Sequence, residues 1–254
     1  MTRSIKDYFQ PHGQKRALQA YATFAGGSAW SVPMKVDLYV ASRVAFSPGR
    51  TDADAFEAFE TIYRTLVSYW QVFRPHGADE CWPARRIFET IKQQFAEFGW
   101  RGAVSLLNVL SSGRHQALML SLMEMEAIKP NNGYPVMTVS KFLHFYNPGL
   151  FPIYDTEVIW NRVFKQFKKD YDAFRTSNNL ASRAGDVAFL RNYLCWASSL
   201  AASAHAGFMG TFVDWLGDEL PRRKFDALGR ETLETLYATA FEFTAIGAAV
   251  AEGL

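Results

Sequence analysis

Between residues 52 and 98 the apolar side chains return every three or four positions, a spacing that puts them on one face of a helix and on both faces of a strand. Phe56, Phe59, Ile62, Tyr63, Leu66 and Val67 form the first such run, opened by Asp52 and Asp54 and closed before Pro75 and Gly77. Pro83 opens a second, in which Ile87, Phe88, Ile91, Phe95 and Phe98 repeat the pattern up to Gly99. A chain patterned in this way has to bury helix faces against one another. The same reading predicts helices from Ala103 to Leu110, Gln116 to Ile128, Met137 to Tyr146, Thr156 to Lys169, Asp186 to His205, Phe208 to Leu216 and Glu231 to Val250. Pro130-Asn131-Asn132-Gly133 and Asn147-Pro148-Gly149 separate them as turns, and Pro221-Arg222-Arg223-Lys224 reads as an exposed basic corner. Lys35 to Phe46 suits either helix or strand. With no internal repeat and no run of period two, the expected class is all-α.

At 254 residues the chain is long enough for one helical domain or two intimately packed lobes. The expectation is a single globular unit over 1–254, with residues 52–150 as a central lobe and 1–51 together with 151–254 as the other. Phe alone accounts for 21 residues, so aromatics fill the core and leave some to line a pocket. A net charge of +2 excludes a polycation; any nucleic-acid binding must come from a local basic patch. Cys81 and Cys195 are too few for a disulfide framework or a cysteine-held metal, and the scattered histidines have no metal-ligand spacing. Neither a metal nor another cofactor is expected. No signal peptide and no apolar run of bilayer length is present, so the protein is expected in the cytoplasm with no membrane partner, as a monomer, and the tail from Ala245 is expected to dock as a helix.

Chemistry concentrates between Thr138 and Val163. Lys141 is expected in the first turn of one helix and Asp155 at the mouth of the next, with Phe151-Pro152-Ile153-Tyr154-Asp155 fixing how the two meet. A lysine withdrawn from water becomes a nucleophile able to form a Schiff base with a sugar carbon. A neighbouring aspartate can stabilise an oxocarbenium-like sugar as its base departs. Asp155 is equally suited to cap the helix it precedes, and Lys141 to sit in solvent. Arg162, Lys165, Lys168 and Lys169 give a basic stripe, either facing DNA phosphates or simply solvated at a helix C-terminus. His144, Tyr154 and Trp82 are candidates to line a pocket, and each is also a natural core residue.

The segment from Phe151 to Val158 resembles the helix-hairpin-helix DNA glycosylases at the position where an apolar residue and Pro precede the catalytic Asp. Lys141 is similar in placement to the lysine of members that also cleave the strand. The resemblance implies an all-α fold of two lobes around a DNA-binding cleft, Asp155 and Lys141 as catalytic residues, and duplex DNA with a flipped base as the partner. The family's glycine-rich hairpin is replaced here by Gly133 to Ser140, to which the resemblance gives the DNA contacts of Thr138 and Ser140, alongside Arg162, Lys165 and Lys169. The spacing from Lys141 to Asp155 is shorter than the family's by about a helical turn, and the cysteine cluster of its iron–sulfur branches is missing. The implied activity is excision of a damaged or modified base, with lyase action as an extension, in base-excision repair or in antiviral defence against phage DNA. The alternative is a non-catalytic helical module that binds nucleic acid or a protein.

Overall fold

The computed structural model describes residues 3–26, 31–47, 49–68, 84–94, 106, 135–180 and 186–253. All regular structure among the described residues is helical. After a 3-10 turn at Ile5–Phe9 come α1 (Pro11–Ala25), α2 (Val32–Phe46), α3 (Asp52–Ser68), α4 (Ala84–Gln94), α5 (Pro135–Tyr146), α6 (Thr156–Phe164), α7 (Lys168–Ser177), α8 (Asp186–Ala202), α9 (Phe208–Glu219), α10 (Arg222–Leu228), α11 (Arg230–Leu233) and α12 (Tyr237–Ala251). The ambiguous stretch from Lys35 is thus helical, started by Pro33 in the first turn of α2. Helices expected over Ala103 to Leu110 and Gln116 to Ile128 lie outside the described residues except for Leu106, which is fully buried.

The centre of the fold is α12, apolar on every side and buried from Ala238 to Ala249. A helix without a polar face must be surrounded. Its most extensive neighbour is α1, and the two approach closely because Gly247 has no side chain: a Cβ there would lie 1.9 Å from the Ala17 carbonyl oxygen. Tyr21 of α1 stacks on Phe243 with ring centroids 4.2 Å apart. The N-terminal turn is fastened from three sides. Ser4 and Asp7 form a capping box, Asp170 of α7 accepts from the Ile5 N–H at 2.7 Å, and Tyr8 donates to Glu252 beyond α12. Against this unit α2 packs on α3, α5 and α10, so it links the N-terminal segment to the central one. The described core is one continuous cluster.

Two expected helices are interrupted. The span Thr156 to Lys169 opens as a π helix, in which Trp160 N–H reaches the Asp155 carbonyl at 3.0 Å, and the chain then bends at Phe167 before α7. The span from Glu231 is interrupted between Leu233 and Tyr237, so the buried α12 starts later. The basic corner at Arg222 is the first turn of α10, with Lys224 turned back onto Asp37 of α2. No helix among the described residues is long and apolar enough to cross a membrane.

Candidate functional site

Pro135 occupies the first turn of α5, where its missing N–H costs no hydrogen bond. The helix therefore starts earlier than the apolar spacing implied, and Lys141 falls near its middle rather than in its first turn. From there its side chain crosses to Asp155, with Nζ 3.2 Å from Oδ2. The other carboxylate oxygen, Oδ1, accepts from the Val158 N–H at 2.9 Å and caps α6. Capping and pairing are thus divided between the two oxygens of one carboxylate. The cap fixes the rotamer and the free edge is presented to the lysine. Their side chains are 8% and 13% exposed, so the pair lies at the margin of the core without being sealed in it.

The turn between these residues is held rigidly. Ser140 accepts from the Tyr154 N–H at 3.0 Å, and its own hydroxyl hydrogen faces the carbonyls of Tyr154 and Met137, each at 3.0 Å. Tyr193 of α8 donates to the Ile153 carbonyl at 3.0 Å. Thr156 donates to the Met137 sulfur at 2.9 Å. Phe151 and Ile153 point into the core.

Behind the turn lies a second lysine–carboxylate pair. Lys35 of α2 and Glu242 of α12 form an ion pair with both side chains fully buried. Glu242 also accepts from the Ile153 N–H at 3.4 Å, which joins α12 to the turn that carries Asp155. His144 is part of the same layer: its Nδ1 lies 2.7 Å from the Phe151 carbonyl and its Nε2 2.9 Å from the Tyr39 hydroxyl. A carbonyl only accepts, so Nδ1 carries the proton and Nε2 accepts from Tyr39. Burial, followed by the charge of Lys35, lowers the His144 pKa to about 3, and the ring is neutral. Burial likewise pushes the Lys35 ammonium down and the Glu242 carboxyl up, each opposed by the attraction of its partner.

The other residues singled out in the sequence separate into groups. Thr138 and Ser140 are buried, and the Ser140 hydroxyl is used within the chain. His144 is fully buried in the core. Tyr154 packs on Phe189 and Tyr193 of α8, at 4.8 Å and 5.8 Å between centroids. Trp82 lies outside the described residues. The basic stripe divides. Under α-helical pitch Arg162, Lys165 and Lys169 would share a face; the π pitch of α6 and the bend at Phe167 rotate them apart. Arg162 lies over the Phe24 ring of α1 at 4.9 Å, whereas Lys165 and Lys169 are exposed.

Lys35, Tyr39, Thr239 and Glu242 belong to no recognisable sequence motif. The available signal was composition: Glu242 is the single charged residue of α12, and a lone charge in an apolar helix has to be paired inside. No group of three or more His, Cys, Asp or Glu that could hold a metal occurs among the described residues. Comparison with family models, with curated proteins and with solved structures finds no match.

Proposed function

We propose that the chain is a DNA glycosylase that releases a damaged or modified base, with Asp155 facing the sugar cation and Lys141 attacking the anomeric carbon. The observation that carries this reading is the paired geometry: an Asp155 oxygen 3.2 Å from Lys141 Nζ while the other oxygen is immobilised by the helix it caps. An immobilised carboxylate is pre-organised to stabilise positive charge as it develops, which is where electrostatic catalysis gains most. The resemblance of Phe151 to Val158 to the glycosylase segment supports the same assignment.

The small exposure of the pair suits this chemistry. A base stacked in a duplex cannot reach groups set at the margin of a core, whereas an extruded nucleotide can. As the sugar enters beside Asp155, the carboxylate transfers its attraction from the ammonium to the sugar. Lys141 then passes its proton to the departing base, which leaves with the electrons of the N-glycosidic bond, and the freed amine bonds to C1′. Ring opening gives a Schiff base; water releases the enzyme, or elimination of the 3′ phosphate cleaves the strand. The exposed Lys169 supplies a cation that can meet backbone phosphates without reading sequence.

The test incubates the full chain with duplexes carrying a panel of damaged and modified bases and measures abasic sites and borohydride-trapped covalent complexes. Base release that is lost in Asp155→Asn, with trapping lost in Lys141→Gln, is the expected result. If no base in the panel is released while the duplexes still bind, the catalytic reading falls and the helical binding module replaces it.

A further inference from the structure

Along the outer side of α6, one turn beyond Asp155, a cavity of about 360 Å³ opens between α6, α7 and α8. It is separate from the Lys141–Asp155 pair. We propose that it binds a single nucleotide unit, a planar base carrying one phosphate. The inference does not rest on base excision.

Size, walls and charge all point to this ligand class. The volume falls at the lower end of the roughly 300–1,000 Å³ that small-ligand sites occupy, enough for one nucleotide and too little for a dinucleotide. Trp160, Phe164, Tyr171 and Phe189 make the apolar walls. Trp160 and Phe189 meet edge to face, 5.3 Å apart at 70°, and Phe164 and Tyr171 are tilted, 4.6 Å apart at 58°. Phe164, Tyr171 and Phe189 are buried and held in place, while Trp160 is only half-buried and leaves ring surface for a base to stack on. Asn192, 3% exposed, adds an amide to this lining.

The rim carries the charge. Lys168 is paired with Asp172 across one helical turn, which leaves Lys165 and Arg175 as cations with no carboxylate partner among the described residues. Two uncommitted cations beside an aromatic wall fit a phosphate attached to a flat ring. Neutral aromatics would leave them unused, and inorganic phosphate would leave the rings unused. The unit can come from two sources, a free mononucleotide or a nucleotide within a single strand, and the chemistry of the cavity is the same for both.

The experiment titrates the full chain by calorimetry with the four nucleoside 5′-monophosphates, the matching nucleosides, inorganic phosphate and a short single-stranded oligonucleotide. Saturable binding of at least one monophosphate or of the oligonucleotide is expected, tenfold or more tighter than the nucleoside or phosphate alone. Lys165→Gln/Arg175→Gln, at polar positions on the rim, should keep the melting temperature and weaken that binding at least tenfold. Trp160→Phe should weaken it by a smaller factor. Monophosphate binding identifies a free nucleotide as the source; binding of the oligonucleotide alone, with the same dependence on Lys165 and Arg175, identifies a strand. The proposal is overturned if neither binds, if phosphate alone binds as tightly, or if the double variant binds like the unaltered chain. Because the readout is binding without turnover, failure here leaves the Lys141–Asp155 reading untouched, and the absence of base release would leave this one untouched.

Discussion

Two lysine–carboxylate pairs meet at the Phe151–Asp155 turn and are opposite in character. Lys35 and Glu242 are fully buried; Lys141 and Asp155 are held at the edge. In the sealed pair every neighbour is internal: the Lys35 ammonium also lies 4.7 Å over the Phe243 ring, and Glu242 accepts from Ile153. Such a pair can fix α2, α12 and the Phe151–Asp155 turn in one arrangement, since any shift would strand a charge in the core. It cannot meet a substrate. In the marginal pair one carboxylate oxygen is committed to a helix cap and the other, among the described residues, faces Lys141, so the proposed reaction asks a substrate to take the lysine's place. Burial therefore separates the pair that holds the fold together from the one to which a reaction is proposed.

Breaking the sealed pair should have the largest effect. Glu242→Leu leaves the Lys35 ammonium buried without its partner and should cost about 3–5 kcal/mol of stability, read by urea unfolding. Lys35→Met combined with Glu242→Leu removes both charges and should recover most of that loss. If the double variant is as unstable as the single one, the pair contributes through packing and the contrast with Lys141–Asp155 disappears.

The next effect belongs to the marginal pair. Asp155→Asn keeps an oxygen for the Val158 N–H, and asparagine caps as well as aspartate. Its melting temperature should hold while base release falls about 10²–10³-fold, the cost of removing one pre-organised electrostatic group. A fall in both together would make Asp155 structural like Glu242.

The histidine between the pairs adds a pH dependence. His144 is held neutral with its pKa lowered to about 3, whereas in the unfolded chain it titrates near 6.5. Between those values the unfolded state binds the proton and the folded state does not, so stability drops as pH falls, by up to about 1.4 kcal/mol per pH unit. Glu242 acts with the opposite sign: its raised pKa lets the folded state hold more protons, and stability falls as pH rises through that window. Because both chains retain Glu242, its contribution largely cancels in the comparison with His144→Asn. Urea unfolding at pH 7, 6, 5 and 4 should show the unaltered chain losing stability faster than the variant, and parallel curves would mean that His144 is protonated in the fold.

The difference between the pairs also marks how far the sequence could be read. The helical class followed from spacing alone, because Phe59, Ile62, Tyr63 and Leu66 could not alternate as a strand and all four are buried. The Lys141–Asp155 proximity was legible because a short Pro-containing turn confines where the two residues can lie. Lys35–Glu242 was not, since its partners are more than two hundred positions apart and long-range pairing leaves no local pattern. The stripe of Arg162, Lys165, Lys168 and Lys169 reads as one face in the sequence because a π helix has no recognisable residue signature; the double use of the Asp155 carbonyl by Ile159 and Trp160 reveals the changed pitch.

The smallest expected effect separates the two roles that Asp155 plays at once. Asp155→Ala removes the acceptor for Val158 N–H as well as the edge that faces Lys141, whereas Asp155→Asn removes only the charge. Losing the cap should lower stability by about 1 kcal/mol, a few degrees in melting temperature, in the alanine variant alone. Base release should be equally low in both. If activity instead follows stability, with asparagine nearly active and alanine inactive, then Asp155 acts by holding α6 in place, and the marginal pair is a weaker version of the sealed one.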